Sequence, residues 1–195
     1  MILDMQQVHI PEEFGLLFIC PVEEKNYQMQ HETAYYLLNQ SLQHYAKMHN
    51  IFIPKENKLI YQSYGKPMLQ EYPEIKFNLS HCEGLAVCLI SNYECGVDAE
   101  AKRFVRPNIV KKIFTLEEQQ LLANAENPDW LFTNIWTLKE SYVKAIGRGI
   151  AFPMREVEFL FQDKQIICNQ EHAKFYQVLL QEHVISICIL DNQTK

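Results

Sequence analysis

Apolar and polar positions recur with two different periods along this chain, and the switch between them predicts its elements. GLLFIC, residues 15–20, is an unbroken apolar run and reads as a buried strand. In HETAYYLLNQSLQHYAKMH, 31–49, Tyr35, Leu38, Leu42 and Tyr45 return at helical spacing and predict an amphipathic helix. A loop with Pro54 and a Gly65-Lys66-Pro67 turn follow. Residues 75–79 and 85–90 then read as strands separated by the turn SHCEG, and CGVDAE, 95–100, as another strand after a tight turn at Ser91-Asn92. Beyond Pro107 the period becomes helical over 108–114, 115–125 and 129–147. The second of these is opened by a Thr115/Glu118 capping box and the third is ended by Gly147. Strand-like runs at 156–161, 165–169, 174–180 and 184–190 close the chain, with Ile185, Ile187 and Ile189 alternating in the last.

This order predicts an α+β fold with much antiparallel sheet. The 195 residues can bury one large core or two small ones, and a boundary near residue 97 would divide the chain into halves 1–97 and 98–195. No internal repeat is evident in the residues themselves. A composition of 48% hydrophobic and 22% charged residues is that of an ordinary globular protein. The net charge of −6 argues against nucleic acid and anionic membrane as partners. Charge is uneven, however: KRFVRPNIVKK, 102–112, holds five cations and no anion. It is either a solvated helix start or a docking surface for an acidic partner. The six cysteines form no Cys-x-x-Cys pair, which argues against a zinc site. FGLLFIC is short and follows Glu12 and Glu13, unlike a signal peptide, and no run approaches a membrane span. Reduced thiols in a cytoplasmic protein are the expectation.

The candidate chemistry is carried by four short stretches. Asp98 and Glu100, two apart on a strand, face the same side; they are a hard-oxygen pair for Mg²⁺ or simply a strand end facing water. Trp136, Glu140 and Lys144 share a helix face, with Lys139 beside it, so two ammonium groups flank one carboxylate. A surface Glu-Lys pair would look the same. Lys66, in its turn, is a possible phosphate contact or a solvated lysine. Ser80 and His81 could offer hydrogen bonds to an anion. They make a poor nucleophile-base pair, because neighbours on a strand point to opposite faces, and no Gly-x-Ser-x-Gly elbow is present.

In order along the chain, YGKP (64–67), FNLSH (77–81), GVDAE (96–100) and WTLKESYVKAIGRG (136–149) closely resemble the signature of the 4′-phosphopantetheinyl transferases, of the longer, surfactin-synthetase-activating type. The resemblance covers residues 64–149, nearly half the chain. It implies two similar α/β-sandwich halves packed about a pseudo-twofold axis. The implied activity is transfer of the phosphopantetheine arm of coenzyme A to a serine of an acyl or peptidyl carrier protein, releasing adenosine 3′,5′-bisphosphate. By the same resemblance Asp98, Glu100 and Glu140 would hold Mg²⁺, and Glu140 would also be the base for the serine hydroxyl. Lys144, with Lys139 beside it, would stabilise charge on the diphosphate. Lys66, Ser80 and His81 would bind phosphates in a turn shaped by Pro67, and Arg103, Arg106, Lys111 and Lys112 would receive the carrier protein. A monomer is expected. The alternative is a degenerate member that binds coenzyme A or a carrier protein without transferring the arm. Residues 1–97 contain no arginine, so the cation set on that side is thin.

Overall fold

The computed structural model describes residues 4–22, 26–163 and 165–191. The elements run β1 (Gln6–Val8), β2 (Leu16–Val22), α1 (Tyr27–His49), β3 (Leu59–Tyr61), β4 (Pro67–Leu69), β5 (Lys76–Cys82), β6 (Gly84–Ser91) and β7 (Cys95–Ala101). There follow α2 (Pro107–Ile113), α3 (Leu116–Ala123), α4 (Pro128–Ile146), β8 (Phe159–Gln162), β9 (Gln165–Cys168), β10 (Ala173–Leu180) and β11 (His183–Leu190). A four-stranded sheet has the order β1-β2-β6-β5 and a three-stranded sheet the order β10-β11-β7, with every pair antiparallel. Two hairpins, β3-β4 and β8-β9, stand apart from both sheets.

Side-chain alternation explains the layering. On β2, Phe18, Cys20 and Val22 pack with α1, whereas Leu17 and Ile19 point the other way. On β6, Ala86, Cys88 and Ile90 join α1, and Leu85, Val87 and Leu89 face away. Those outward residues meet Cys95, Val97 and Ala99 of β7 and Ile185, Ile187 and Ile189 of β11. The opposite face of the second sheet, with Phe175 and Cys188, packs on Leu138, Tyr142 and Ala145 of α4. The result is helix, sheet, sheet, helix. Strands buried on both faces need no polar alternation, which is why they read as continuous apolar runs.

The two sheets share a plan. The sequence strand, helix, hairpin, strand, strand occurs as β2-α1-β3β4-β5-β6 and again as β7-α4-β8β9-β10-β11, with α2 and α3 added before α4. The strand order is likewise β2-β6-β5 and β7-β11-β10. The α+β class, the similar halves and the antiparallel sheets therefore match the expectation, and the repeat lies in topology rather than in residues. Residue 97 falls inside β7; the turn between the repeats is at 92–94.

Several local expectations change. β5 continues through Ser80 and His81 to Cys82, so the turn is only Glu83-Gly84, with Gly84 at φ +87°. The helix at 31–49 begins at Tyr27, where Asn26 caps the Gln28 N–H. Its buried face includes Ala34, Leu37, Leu38, Ser41 and Leu42, and Tyr35 and Tyr45 flank that face half-buried. Lys139 is displaced from any phosphate role. It is fully buried (0% exposed), and its ammonium pairs with Glu118 at 2.9 Å and donates to the Met154 and Val157 carbonyls. Glu118 also closes the capping box of α3 and accepts the Phe159 N–H, so this ion pair is a structural knot behind α4.

α4 lies hard against β7 at Gly96, where a Cβ would come within 2.0 Å of the Ser141 carbonyl oxygen and 2.4 Å of the Ala145 nitrogen. Both obstacles are helix backbone, which cannot swing aside. Gly96→Ala is expected to lower unfolding stability by about 3 kcal/mol in chemical denaturation; an unchanged midpoint would contradict this packing.

Candidate active site

β7 pairs with β11 along one side only, so its other edge presents backbone groups that need partners. Among the described residues no strand supplies them. Side chains do, at strand spacing. Asn78 Oδ1 accepts the Val97 N–H at 2.9 Å and Ser80 Oγ accepts the Ala99 N–H at 3.3 Å. Cys82 is next in the same row, and the Ala101 backbone lowers its thiol, but burial, then the charge of Glu100, outweighs this and pushes it up to about 12. The carbonyls of the same edge are covered by lysines: Lys66 Nζ donates to Cys95 O at 3.0 Å, and Lys144 Nζ to Val97 O at 3.1 Å. Residues 78, 80 and 82 of β5 thus address residues 97, 99 and 101 of β7 through side chains, in step with the two-residue period of both strands.

This seam settles where the motif residues sit. Lys66 is buried, and its three donors go to Cys95 O, to Ala145 O at 2.8 Å and to Glu94 at 3.0 Å, so it ties its turn to the start of β7 and the last turn of α4. The expected phosphate contact has no free donor left. Glu94 is shared with Lys76 at 3.0 Å; burial raises its carboxyl, but the two lysines outweigh burial and hold it below the ordinary value. Pro67 starts β4 and lines a hollow of about 230 Å³ with Tyr64, Asn78, Leu79, Lys144 and Gly147.

Asp98, Glu100, Glu140, Lys144, Ser80 and His81 line one adjoining cleft of about 390 Å³, together with Tyr27, Leu79, Arg103 and Trp136. Lys144 Nζ lies 2.7 Å from Asp98 Oδ1 and 2.9 Å from Ser80 Oγ, and the Ser80 hydroxyl donates to the same Asp98 oxygen at 3.0 Å. Glu100 is held by Arg103 at 2.7 Å. Asp98 Oδ2 is buried with no hydrogen-bond partner. Burial, then Asp98, pushes the Glu100 carboxyl up to about 7 and also raises that of Glu140, with Arg103 and Lys144 acting the other way on both. Crowded acids with one orphaned oxygen are a donor set that a hard divalent cation fits. Among the described residues no three potential ligands are already gathered into a cage, because Asp98 and Glu100 are turned to their cationic neighbours.

Ser80 and His81 point to opposite faces of β5, yet both reach the cleft because β5 is the sheet's edge. His81 stacks edge-on with Tyr27 (5.0 Å between centroids) and His31 (5.9 Å), and its Nδ1 is buried without a partner. Burial, then His31 and Lys144, hold its pKa below the ordinary value, against Asp98. Arg103 turns inward, over the Trp136 ring at 5.9 Å, whereas Arg106, Lys111 and Lys112 are exposed at and along α2. Sequence reasoning missed three residues. Tyr27 lies before the helix start that periodicity gave. Arg103 belongs in sequence to the cationic run 102–112 and looks there like its outward neighbours. For Asn78 the sequence signal is the polar row of Asn78, Ser80 and Cys82 inside an apolar strand.

The family model described as the 4′-phosphopantetheinyl transferase superfamily matches residues 94–188 of this chain. The 4′-phosphopantetheinyl transferase gsp of Aneurinibacillus migulanus is 39% identical over 125 residues, 63% of this chain and 52% of the relative. Sfp of Bacillus subtilis (strain 168) is 33% identical over 109 residues, 54% of this chain and 48% of the relative. HetI of Nostoc sp. is 38% identical over 117 residues, 54% and 47% respectively. In each case the match spans about half the length of the curated relative. A solved holo-[acyl-carrier-protein] synthase from Thermotoga maritima aligns with 52% of this chain and 64% of its own, at 17% identity and a TM-score of 0.46. No helix among the described residues is long and apolar enough to cross a membrane, and the six cysteines are free thiols.

Removing the Asn78 acceptor strands a buried N–H. Asn78→Ala is expected to cost about 1–3 kcal/mol of stability. Asn78→Asp, which keeps the acceptor, is expected to cost less; equal losses for the two would contradict the side-chain seam.

Proposed function

We propose that the protein transfers the 4′-phosphopantetheine arm of coenzyme A to a serine of an acyl or peptidyl carrier protein, releasing adenosine 3′,5′-bisphosphate. The observation that carries this reading is the convergence of Asp98, Glu100, Glu140, Lys144 and Ser80 on one cleft at the seam of the two sheets. Relatives named as such transferases support it. The serine oxygen bonds to the phosphorus that bears the pantetheine arm, and the bridging P–O bond to the adenosine bisphosphate breaks. Glu140, its carboxyl held above the ordinary value by burial and by Asp98, accepts the serine proton. Lys144, whose ammonium is partly open to the cleft, exchanges its contact with Ser80 Oγ for a phosphate oxygen and balances the charge of the departing bisphosphate, while the Ser80 hydroxyl stays on Asp98. His81, with an unpartnered Nδ1 beside His31, is the further polar contact at the nucleotide end. Asp98, Glu100 and Glu140 would hold Mg²⁺, which when bound neutralises the diphosphate. Phosphoryl transfer asks for alignment and neutralisation rather than a covalent protein intermediate, so a Ser80 nucleophile is not needed.

Exposed Arg106, Lys111 and Lys112 form the proposed docking face for an acidic carrier domain. Arg103, engaged with Glu100, is not counted in it. A monomer working in the cytoplasm is consistent with both repeats lying in one chain and with the free thiols. A binder without transferase activity is the second reading, favoured by Lys66 and Lys139 being committed to protein partners.

Incubation of a carrier protein with coenzyme A, Mg²⁺ and this protein is expected to add the mass of the phosphopantetheine arm, read by mass spectrometry. No gain across a panel of carrier domains would favour the binder. Glu140→Gln is expected to lower turnover at least about 100-fold while shifting the unfolding midpoint little; parallel losses of both would remove its catalytic role. Reversing Arg106 and Lys112 to Glu is expected to raise the apparent KM for carrier protein about tenfold and leave coenzyme A affinity unchanged. An unaltered KM would remove the docking face.

A further inference from the structure

Arg103 sits at the mouth of the cleft with two attachments of different kind. Its guanidinium meets Glu100 Oε1 at 2.7 Å and lies 5.9 Å from the centre of the Trp136 ring. Its backbone N–H is fixed by Thr133 Oγ1 at 2.9 Å, so the residue is anchored to α4 whichever way its side chain swings. Lys144 neutralises Asp98 from the other side of the same acids. The cleft therefore already contains two cations of its own on two of its three carboxylates.

We propose that Arg103 is a built-in counter-ion that competes with a divalent metal for Glu100, and that the face of Trp136 retains the guanidinium when it is displaced. This rests on the reading of Asp98, Glu100 and Glu140 as metal ligands. A cation with two alternative partners at one anchored position can exchange between them at small cost: a partly exposed ion pair is weak, and an aromatic face is a second attractive seat for guanidinium. The device keeps three crowded acids from repelling one another before the metal arrives. It also makes the empty cleft harder to fill with metal alone. Charge-bearing neighbours elsewhere on this face, such as Arg106, touch no cleft acid and do not compete in this way.

Free Mn²⁺ followed by electron paramagnetic resonance at pH 8, without coenzyme A, tests this on the intact protein. Arg103→Met is expected to tighten Mn²⁺ binding about fivefold, the ratio a partly exposed ion pair is worth. Arg103→Lys should stay within about twofold of the wild type, and so should Arg106→Met, which removes a nearby charge of the same sign. Equal or weaker binding by Arg103→Met overturns the proposal while leaving the metal site standing, as does equal tightening by Arg106→Met, which would make the effect one of overall charge. Absence of saturable Mn²⁺ binding in wild type and Arg103→Met alike overturns the metal reading itself.

Discussion

The free edge of β7 is the constraint on which the rest of the molecule depends. A strand buried between a sheet and a helix cannot leave its outward N–H and C=O groups without partners, since each costs on the order of 1–3 kcal/mol. Here Asn78 and Ser80 accept from the N–H groups of that edge, while Lys66 and Lys144 donate to its carbonyls. Because those side chains come from the first sheet, from the β4 turn and from α4, the same contacts fix all three relative to β7. Asp98, on the opposite pleat from Val97 and Ala99, is thereby delivered into the cleft.

Seam and site are consequently one structure. Ser80 covers the Ala99 N–H and also contacts Asp98 and Lys144; Lys144 covers the Val97 carbonyl and also pairs with Asp98. Lysines that look interchangeable in sequence divide by burial. Lys66 and Lys139 are sealed by protein acceptors, whereas Lys144 stays partly open to the cleft. The distribution of cations then sets the acids: Asp98 and Glu100 have partners, one Asp98 oxygen has none, and Glu140 faces the cleft from α4.

Much of this was legible in the residues, for reasons that can be named. Among the described residues, most strands and the four α-helices follow the sequence pattern, and the capping box at Thr115 and the terminator at Gly147 lie where the sequence puts them. The face shared by Trp136, Glu140 and Lys144, and that shared by Asp98 and Glu100, follow from helix and strand geometry alone. The fate of Lys139 was not legible, because its partner Glu118 lies on a separate helix and was already explained by a capping box. Lys66 was misread for a similar reason: a turn lysine looks solvated until the C-terminus of α4 closes over it. The extension of β5 through Ser80 and His81 comes from their pairing with Val87 and Ala86 of β6, which the polar run SHCEG conceals. The three-residue strands β1, β3 and β4 carry too few positions for a period to show.

The most direct test of the seam is amide hydrogen exchange at Val97 and Ala99, followed residue by residue in the folded protein. The account predicts that both amides are protected in the wild type to the same order as those of β7 that face β11. Asn78→Ala should release Val97 selectively and Ser80→Ala should release Ala99. Rapid exchange of both amides in the wild type, or protection unmoved by either substitution, would contradict it.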